Sequence, residues 1–416
     1  MFTLNRFSFL FALTVGVNAS FFAQKSKSHW YAALEYSLGK TSPANVDFPP
    51  IGPQHGFLVS VGTTQSKLNR TWKQQLGFPE TGLTFSYVQL GNATYLGSAY
   101  TLTPFVNFKV FRAWSSRYQL KVGLGASYFT HLYDPLNNPN NKAISTRFTW
   151  GFRTNMYYQL WEKKAFDLKL GLGYFHNSNG HTRLPNNGLN TFLVSLYSQL
   201  NFNKKEATSS VTHPITATRQ SYYASRFGLG RRVLSIYDNA AKDVYTMAVS
   251  SGVIYNKSFK LGAGMYYRLY KDYYDYIQEN GAVVASLYPN FRNNPLQYAS
   301  TIGISGSGEL LLSHVGVELE MGINLYKPAY AFDWQINEEK YKDGAMQLGE
   351  LTTYYKIKKT ISTRLGVKAY LLNTDIAPRH NLFLGAFINA NLGQADFTEL
   401  TLGYQYALPL KTKKKA

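Results

Sequence analysis

Apolar and polar residues alternate with a period of two along most of the chain. In the run FDLKLGLGY, the even-numbered residues from Phe166 to Tyr174 are apolar, and Asp167, Lys169 and two glycines separate them. The same alternation occurs in LKVGLGASY at 120–128, and in VGVELEMGINLY at 315–326. Because successive side chains of a β-strand point to opposite faces, each run predicts a strand with one apolar and one polar face.

These alternating runs are long enough to cross a bilayer. A tilted transmembrane β-strand needs ~9–11 residues, and aromatic residues lie near the ends of the runs, as interfacial girdles require. A sheet leaves no unpaired backbone group in lipid only when it closes on itself. The pattern therefore predicts an all-β, transmembrane antiparallel β-barrel with a polar lumen. A soluble secreted β-sandwich is the less favoured alternative, since its strands also alternate.

The number of barrels depends on how the strands pair, which the pattern leaves open. Candidate strands fill residues 28–204 and 221–408, and the polar segment 205–220 separates them; a basic tail follows at 409–416. One barrel of about 14–18 strands is our first expectation, because barrels of that size are common in bacteria. Two eight-stranded units are the alternative, and no clear internal repeat decides between them.

The start of the chain has the pattern of an export signal. Arg6 precedes an apolar run from Phe7 to Val17, and small residues follow it. This predicts a secretory signal peptide over residues 1–23. No later run of 18 apolar residues predicts a transmembrane helix, and the chain contains no cysteine. We therefore expect export to the outer membrane of a Gram-negative bacterium.

The chain is strongly basic, with 43 Lys and Arg against 23 Asp and Glu, a formal charge of +20. Solvated loops and the tail KTKKKA explain part of this excess. Attraction to anionic lipid headgroups, such as the phosphates of lipopolysaccharide, is the functional interpretation. Nucleic acid is not an expected partner, because the chain has no nucleic-acid motif. The isolated histidines show no ligand spacing, so we expect neither a metal nor a cofactor.

Three polar residues interrupt the apolar face of one predicted hairpin. The parity of the strand ending at Ser178 places His176 and Ser178 on the lipid-facing side, and the parity of the next strand adds Asn190. A base, a hydroxyl and a polar orienting group form the layout of an activated nucleophile. Its substrate would be a lipid presented by the membrane. The alternative is that these are ordinary interfacial residues at a strand end.

The segment HNSNGHTRLPNNGLN, residues 176–190, resembles the active-site motif of PagL-type lipid A 3-O-deacylases, also grouped as acyloxyacyl hydrolases. The resemblance covers about residues 28–204, and the second half is similar to the extension of longer bacteroidete members. It implies a carboxylic ester hydrolase in which His176 is the general base, Ser178 the nucleophile and Asn179 an oxyanion donor. The implied partners are lipopolysaccharide and other outer-membrane lipids. The matching positions are His176, Ser178, Asn179, Pro185, Asn186, Gly188 and position 190.

One position departs from the family pattern, because Asn190 occupies the place of the family's glutamate. An amide oxygen can hold the tautomer of an imidazole, but it cannot neutralise an imidazolium. His181 is a further candidate partner in the loop. Two other functions stay open: a porin or structural barrel that retains the motif, and a phospholipase or other esterase with the same machinery.

Overall fold

The computed structural model describes residues 29–64, 71–202, 217–338, 340–342 and 345–412. The predicted signal peptide and most of the predicted linker lie outside these residues. Two compact units divide the described chain. The first contains the residues up to Asn179 and resumes over Pro185–Ile215, whereas the second contains Gly180–Leu184 and the chain from Thr216.

The first unit is a closed antiparallel barrel of eight strands, β1 to β8. Each strand pairs with the next, and β8 pairs with β1 from Tyr31↔Asn201 to Ser42↔Asn190. A short helix, α1 (Thr71–Gln75), lies between β2 and β3. The strands are β1 (His29–Ser42), β2 (Gln54–Thr64), β3 (Glu80–Gln89), β4 (Ser98–Lys109), β5 (Tyr118–Phe129), β6 (Phe148–Glu162), β7 (Phe166–Ser178) and β8 (Leu189–Asn201).

The second unit is also a closed antiparallel barrel of eight long strands. Its first strand pairs with its second and with its last, which closes the sheet. The long strands are β9 (Thr218–Arg232), β10 (Lys242–Tyr255), β11 (Phe259–Tyr270), β12 (Ser300–Leu312), β13 (Val315–Tyr326), β16 (Ile361–Tyr370), β17 (His380–Asn391) and β18 (Gln394–Ala407). Three short strands are β14 (Lys340–Lys342), β15 (Ala345–Gln347) and β19 (Lys411–Thr412), and the last pairs with the start of β9.

Helices occupy two long connections of the second unit, between β11 and β12 and between β13 and β16. Arg232, at the end of β9, is buried beneath them and lies 2.8 Å from Asp272, 2.7 Å from Asp333 and 2.8 Å from Asp396. The helices are α2 (Lys271–Gln278), α3 (Ala282–Leu287), α4 (Pro295–Tyr298), α5 (Tyr330–Asn337) and α6 (Thr353–Thr360), with 3₁₀ turns at Pro289–Asn293 and Thr374–Ile376.

The expectation of one barrel of about 14–18 strands is wrong, and the alternative of two eight-stranded units is confirmed. Strand β8 forms its second ladder with β1 instead of with a ninth strand. In the second unit, the first long strand, β9, pairs with the last long strand, β18, from Thr398↔Arg231 to Ala407↔Tyr222. A sheet whose last strand is paired with its first has no free edge to extend. The chain therefore starts a new sheet after the polar segment.

The predicted alternation of faces is confirmed in the first barrel. Leu170, Leu172 and Phe192 are 45%, 65% and 63% exposed, whereas Asp167 and Lys169 are buried. Apolar residues thus cover the outer surface and polar residues fill the interior, as in barrels whose outer surface lies in lipid. No helix in the described part of the chain is both long enough and apolar enough to span a membrane.

Paired polar side chains fill the interior of the first barrel. The carboxylate of Glu35 accepts hydrogen bonds from Arg153 at 3.1 Å and from the Tyr157 hydroxyl at 3.0 Å. Lys169 donates to the Gln119 side-chain oxygen at 2.8 Å. Burial of such groups is tolerated because they pair with one another. The interior of the first barrel is thus a core of paired polar side chains. This core supports the strands whose outward faces carry the polar residues found in the sequence.

Ion pairs fill the interior of the second barrel in the same way. The guanidinium of Arg364 donates to Glu399 at 2.9 Å and to Glu318 at 2.8 Å. Arg226 forms a bidentate pair with Glu320, at 2.6 and 3.1 Å. These residues come from β9, β13, β16 and β18 and hold opposite walls of the barrel together.

Candidate active site

The three predicted site residues lie at one end of the β7–β8 hairpin. His176 is directly opposite Asn190 in the antiparallel ladder, and Ser178 is opposite Trp150 of β6. His176 and Ser178 share the parity of the exposed residue Leu172, so both belong to the outward face. The loop that joins the strands begins at Asn179. Periodicity and one short connection are therefore sufficient to bring His176 and Asn190 together.

The imidazole of His176 is oriented by the side chain of Asn190. His176 Nδ1 lies 2.7 Å from Asn190 Oδ1, and the Tyr174 hydroxyl donates to the same oxygen at 2.6 Å. A carbonyl oxygen only accepts, so the proton of a neutral His176 resides on Nδ1. Nε2 then carries the free lone pair that a general base needs. The sequence pattern did not predict Tyr174 as a member of this group.

The hydroxyl of Ser178 is held from the loop. Ser178 is 7% exposed, and Asn186 Nδ2 donates to its Oγ at 2.9 Å. Asn186 is itself fixed, because its side-chain oxygen accepts from the backbone N–H of Asn179 at 3.0 Å. An amide N–H aimed at a nucleophilic oxygen can also stabilise negative charge that develops beside it.

Asn179, the predicted oxyanion donor, directs its side chain elsewhere. Its Nδ2 donates to Ser145 Oγ at 3.1 Å, and the residue is 1% exposed. This bond fixes the start of the loop to the connection between β5 and β6. Through its backbone N–H, Asn179 orients Asn186. Asn186 is a position of the motif for which the sequence predicted no role, because no periodic pattern marks which loop amide reaches the serine.

His181, the further candidate partner in the loop, is a residue of the second unit. Its backbone oxygen accepts from the N–H of Val233 at 3.1 Å, and its φ is +68°. The Nε2 atom is buried without a hydrogen-bond partner among the described residues. Burial, helped by the positive charge of Arg232, lowers the pKa of His181 to about 3. Nδ1 of His176 is bonded to Asn190, and a role of His181 as a further partner stays a prediction.

Aromatic side chains surround the polar residues on the outward face. The rings of Tyr174 and Phe192 lie 5.4 Å apart, and Trp150 lies beside Ser178 in the ladder. Across the described ranges of the chain, no group of three or more His, Asp or Glu residues could hold a metal ion. The arrangement can perform acid–base and nucleophilic chemistry on a molecule that approaches along an apolar surface.

A family model matches the part of the chain that contains this group of residues. Residues 55–198 match the family model described as lipid A 3-O-deacylase (PagL), a range that contains His176, Ser178, Asn186 and Asn190. No curated protein sequence matches the chain.

Solved structures of outer-membrane proteins are similar to parts or most of the chain. The crystal structure of the outer membrane enzyme PagL shares 12% identity, with a TM-score of 0.30, and covers 40% of this chain and 97% of that one. OccAB3 from Acinetobacter baumannii shares 8% identity, with a TM-score of 0.20, and covers 92% and 100% of the respective chains. The COG4313 outer membrane channel from Pseudomonas putida F1 shares 11% identity, with a TM-score of 0.17, and covers 92% and 97%. Residues 55–198 of the N-terminal barrel are thus similar to the family of lipid A 3-O-deacylases (PagL).

Proposed function

We propose that this protein is an outer-membrane lipid A deacylase that hydrolyses an ester-linked acyl chain of lipopolysaccharide. The observation that carries the proposal is the outward-facing group in which Asn190 orients His176 and Asn186 contacts Ser178. This group lies within the residues that match the deacylase family model. Its position on the apolar outer surface supports a lipid substrate that diffuses in the plane of the membrane.

The reaction begins with proton transfer from Ser178 to Nε2 of His176. The serine oxygen attacks the ester carbonyl, and the carbonyl electrons move onto its oxygen. Asn186 Nδ2 donates to that oxygen, an interaction whose removal costs about 10²–10³ in rate in comparable enzymes. The oxyanion then collapses, the ester C–O bond breaks, and the imidazolium protonates the departing sugar oxygen, which leaves as a hydroxyl.

Water completes the cycle. His176 accepts a proton from a water molecule, which attacks the acyl-serine. The bond to Ser178 breaks, the serine oxygen recovers its proton, and a free fatty acid leaves. Each imidazolium that forms is stabilised by the oxygen of Asn190, a partial charge in place of the family's full carboxylate charge. We therefore propose a slower enzyme than a relative with glutamate at this position.

A non-catalytic barrel that retains the motif is the second candidate function. The single observation in its favour is Asn190 itself, since an amide cannot neutralise the imidazolium that forms during catalysis. This candidate predicts that the purified protein releases no fatty acid from any lipid ester.

The test uses purified protein in detergent with lipid A as substrate and free fatty acid as product. The wild type should release fatty acid, and Ser178→Ala should abolish release. Ser198 is a matched control, because it is a second serine on the outward face of β8 and bonds only to the Leu34 carbonyl at 3.3 Å among the contacts described. Ser198→Ala should keep full activity. Equal release by the wild type and Ser178→Ala would contradict the proposal.

A further inference from the structure

The outward face of the first barrel carries very little charge. On its eight described strands, side chains with outward parity are apolar, aromatic or small and polar, apart from Lys40, His55, Gln89 and His176. Lys40 is the only Lys or Arg among them, and no Asp or Glu shares that face. Lys40 is exposed. A lone cation on a lipid-facing surface is unfavourable, most of all in the middle of the bilayer and least near its edge.

This single cation lies beside the candidate active site. On β1, Ser42 is opposite Asn190 and Lys40 is opposite Phe192. On the other side of β8, Asn190 is opposite His176. Two strand spacings and two residues along the strand separate the Cα atoms of Lys40 and His176 by roughly 12 Å. The flexible four-carbon stem of lysine can shorten the distance between its ammonium group and a molecule bound at Ser178.

A second polar side chain follows on the neighbouring strand. His55 of β2 is opposite Leu38. Its Nδ1 atom and the Tyr36 hydroxyl form a hydrogen bond at 2.7 Å. Polar groups thus continue across four adjacent strands, from His176 on β7 to His55 on β2. On the next strand, β3, the exposed side chain of Gln89 lies opposite His55, but it carries no charge.

We propose that Lys40 binds a phosphate group of the same glycolipid whose acyl ester lies at Ser178; this inference rests on the proposed function. The lysine ammonium is a compact cation that pairs with phosphate oxygens as a point charge. A phosphorylated sugar headgroup places its phosphate at the level of the polar residues while its acyl chains lie against the apolar wall. Lys40 is then a specificity-determining residue that selects phosphorylated over neutral lipid esters.

The test compares two forms of one substrate, lipid A with its phosphates and lipid A after removal of the phosphates. The wild type should hydrolyse the phosphorylated form with a kcat/KM about ten-fold higher. Lys40→Met keeps the apolar stem and should reduce that ratio to near one, whereas Lys40→Arg should retain most of it. Lys109→Met is the matched control, because Lys109 is an exposed lysine at the other end of the barrel, and it should keep the ratio of the wild type.

A binding measurement separates this inference from the proposed function. Isothermal titration of Ser178→Ala with each lipid form in detergent needs no hydrolysis. A preference for phosphorylated lipid that Lys40→Met removes supports the phosphate site even if the wild type hydrolyses neither form. Hydrolysis of both forms with equal kcat/KM and equal affinity would overturn the phosphate site and leave the deacylase intact. A phosphate preference that survives in Lys40→Met would also overturn it.

Discussion

Asn190 Oδ1 lies 2.7 Å from Nδ1 of His176 and directly opposite it in the β7–β8 ladder. The Tyr174 hydroxyl donates a second hydrogen bond to that oxygen. An amide can rotate by half a turn and present nitrogen in place of oxygen, whereas a carboxylate cannot. The hydroxyl of Tyr174 favours the orientation in which the oxygen faces the imidazole.

Tyr174 is therefore expected to be a positioning residue. Tyr174→Phe should lower kcat by about five-fold with little change in KM, because one neutral hydrogen bond contributes about 1 kcal/mol. The effect should shrink in the Asn190→Glu background, where the orientation of the acceptor no longer matters. Tyr100→Phe, on the outward face of β4, is the control. An equal loss in both backgrounds would indicate a purely structural role for Tyr174.

Asn186 is expected to contribute more than Asn179 to stabilising the oxyanion. Asn186→Ala should lower kcat by about 10²–10³, because Asn186 Nδ2 is the donor on Ser178 Oγ. Asn187→Ala is the neighbouring control, since Asn187 bonds the Ala44 carbonyl on the loop surface. Steady-state kinetics on lipid A measures both variants. A larger loss of kcat in Asn179→Ala than in Asn186→Ala, with the barrel intact, would restore the role first assigned to Asn179.

The ion pairs inside the second barrel should dominate its stability. Glu399→Gln leaves Arg364 with reduced compensation in a buried site and should lower the free energy of unfolding by about 3–5 kcal/mol. Asp243→Asn breaks the exposed pair with Arg231 and should change it by at most ~1 kcal/mol. Urea unfolding in detergent compares the two variants. Equal small effects would mean that the buried pairs contribute nothing.

The packing of His181 in the second unit should become less stable at low pH. Burial lowers the pKa of His181 to about 3 from 6.5, so the folded state binds fewer protons than the unfolded state between these values. The stability that the neutral side chain of His181 contributes is therefore present above pH 6.5 and is lost as the pH falls towards 3. The protection of residues 180–184 against hydrogen exchange, relative to the intrinsic exchange rate at each pH, should decrease between pH 7 and pH 5. Asn tolerates a positive φ, so His181→Asn should remove this acid-dependent loss of protection; an unchanged dependence would contradict the assignment.

Periodicity predicted the faces of the strands but not the number of barrels. Leu170 and Leu172 are exposed and Lys169 is buried because side-chain parity is a local property of a strand. The pairing of Ser42 with Asn190 joins residues far apart in the chain. Nothing in the alternation of either strand distinguishes a partner at the start of the same unit from a new strand beyond residue 204.

The candidate site likewise has one part that periodicity predicted and one part that it did not predict. His176 and Asn190 were placed together by parity and a short connection. The reach of Asn186 to Ser178 depends on the path of the loop, where Gly180, His181 and Gly188 all have positive φ values. Such a path has no repeating pattern that a sequence could display. Tyr174 escaped notice for a different reason, because an aromatic residue near a strand end is also the ordinary girdle residue of a barrel.

The most direct measurement of the central claim is mass spectrometry of lipid A from a Gram-negative host expressing the wild type, Ser178→Ala or Asn190→Glu. Our account predicts that lipid A loses one ester-linked acyl chain with the wild type and keeps it with Ser178→Ala. Asn190→Glu should increase the loss, because a carboxylate stabilises the imidazolium of His176. Intact lipid A in all three strains, with each barrel assembled in the outer membrane, would contradict the deacylase assignment.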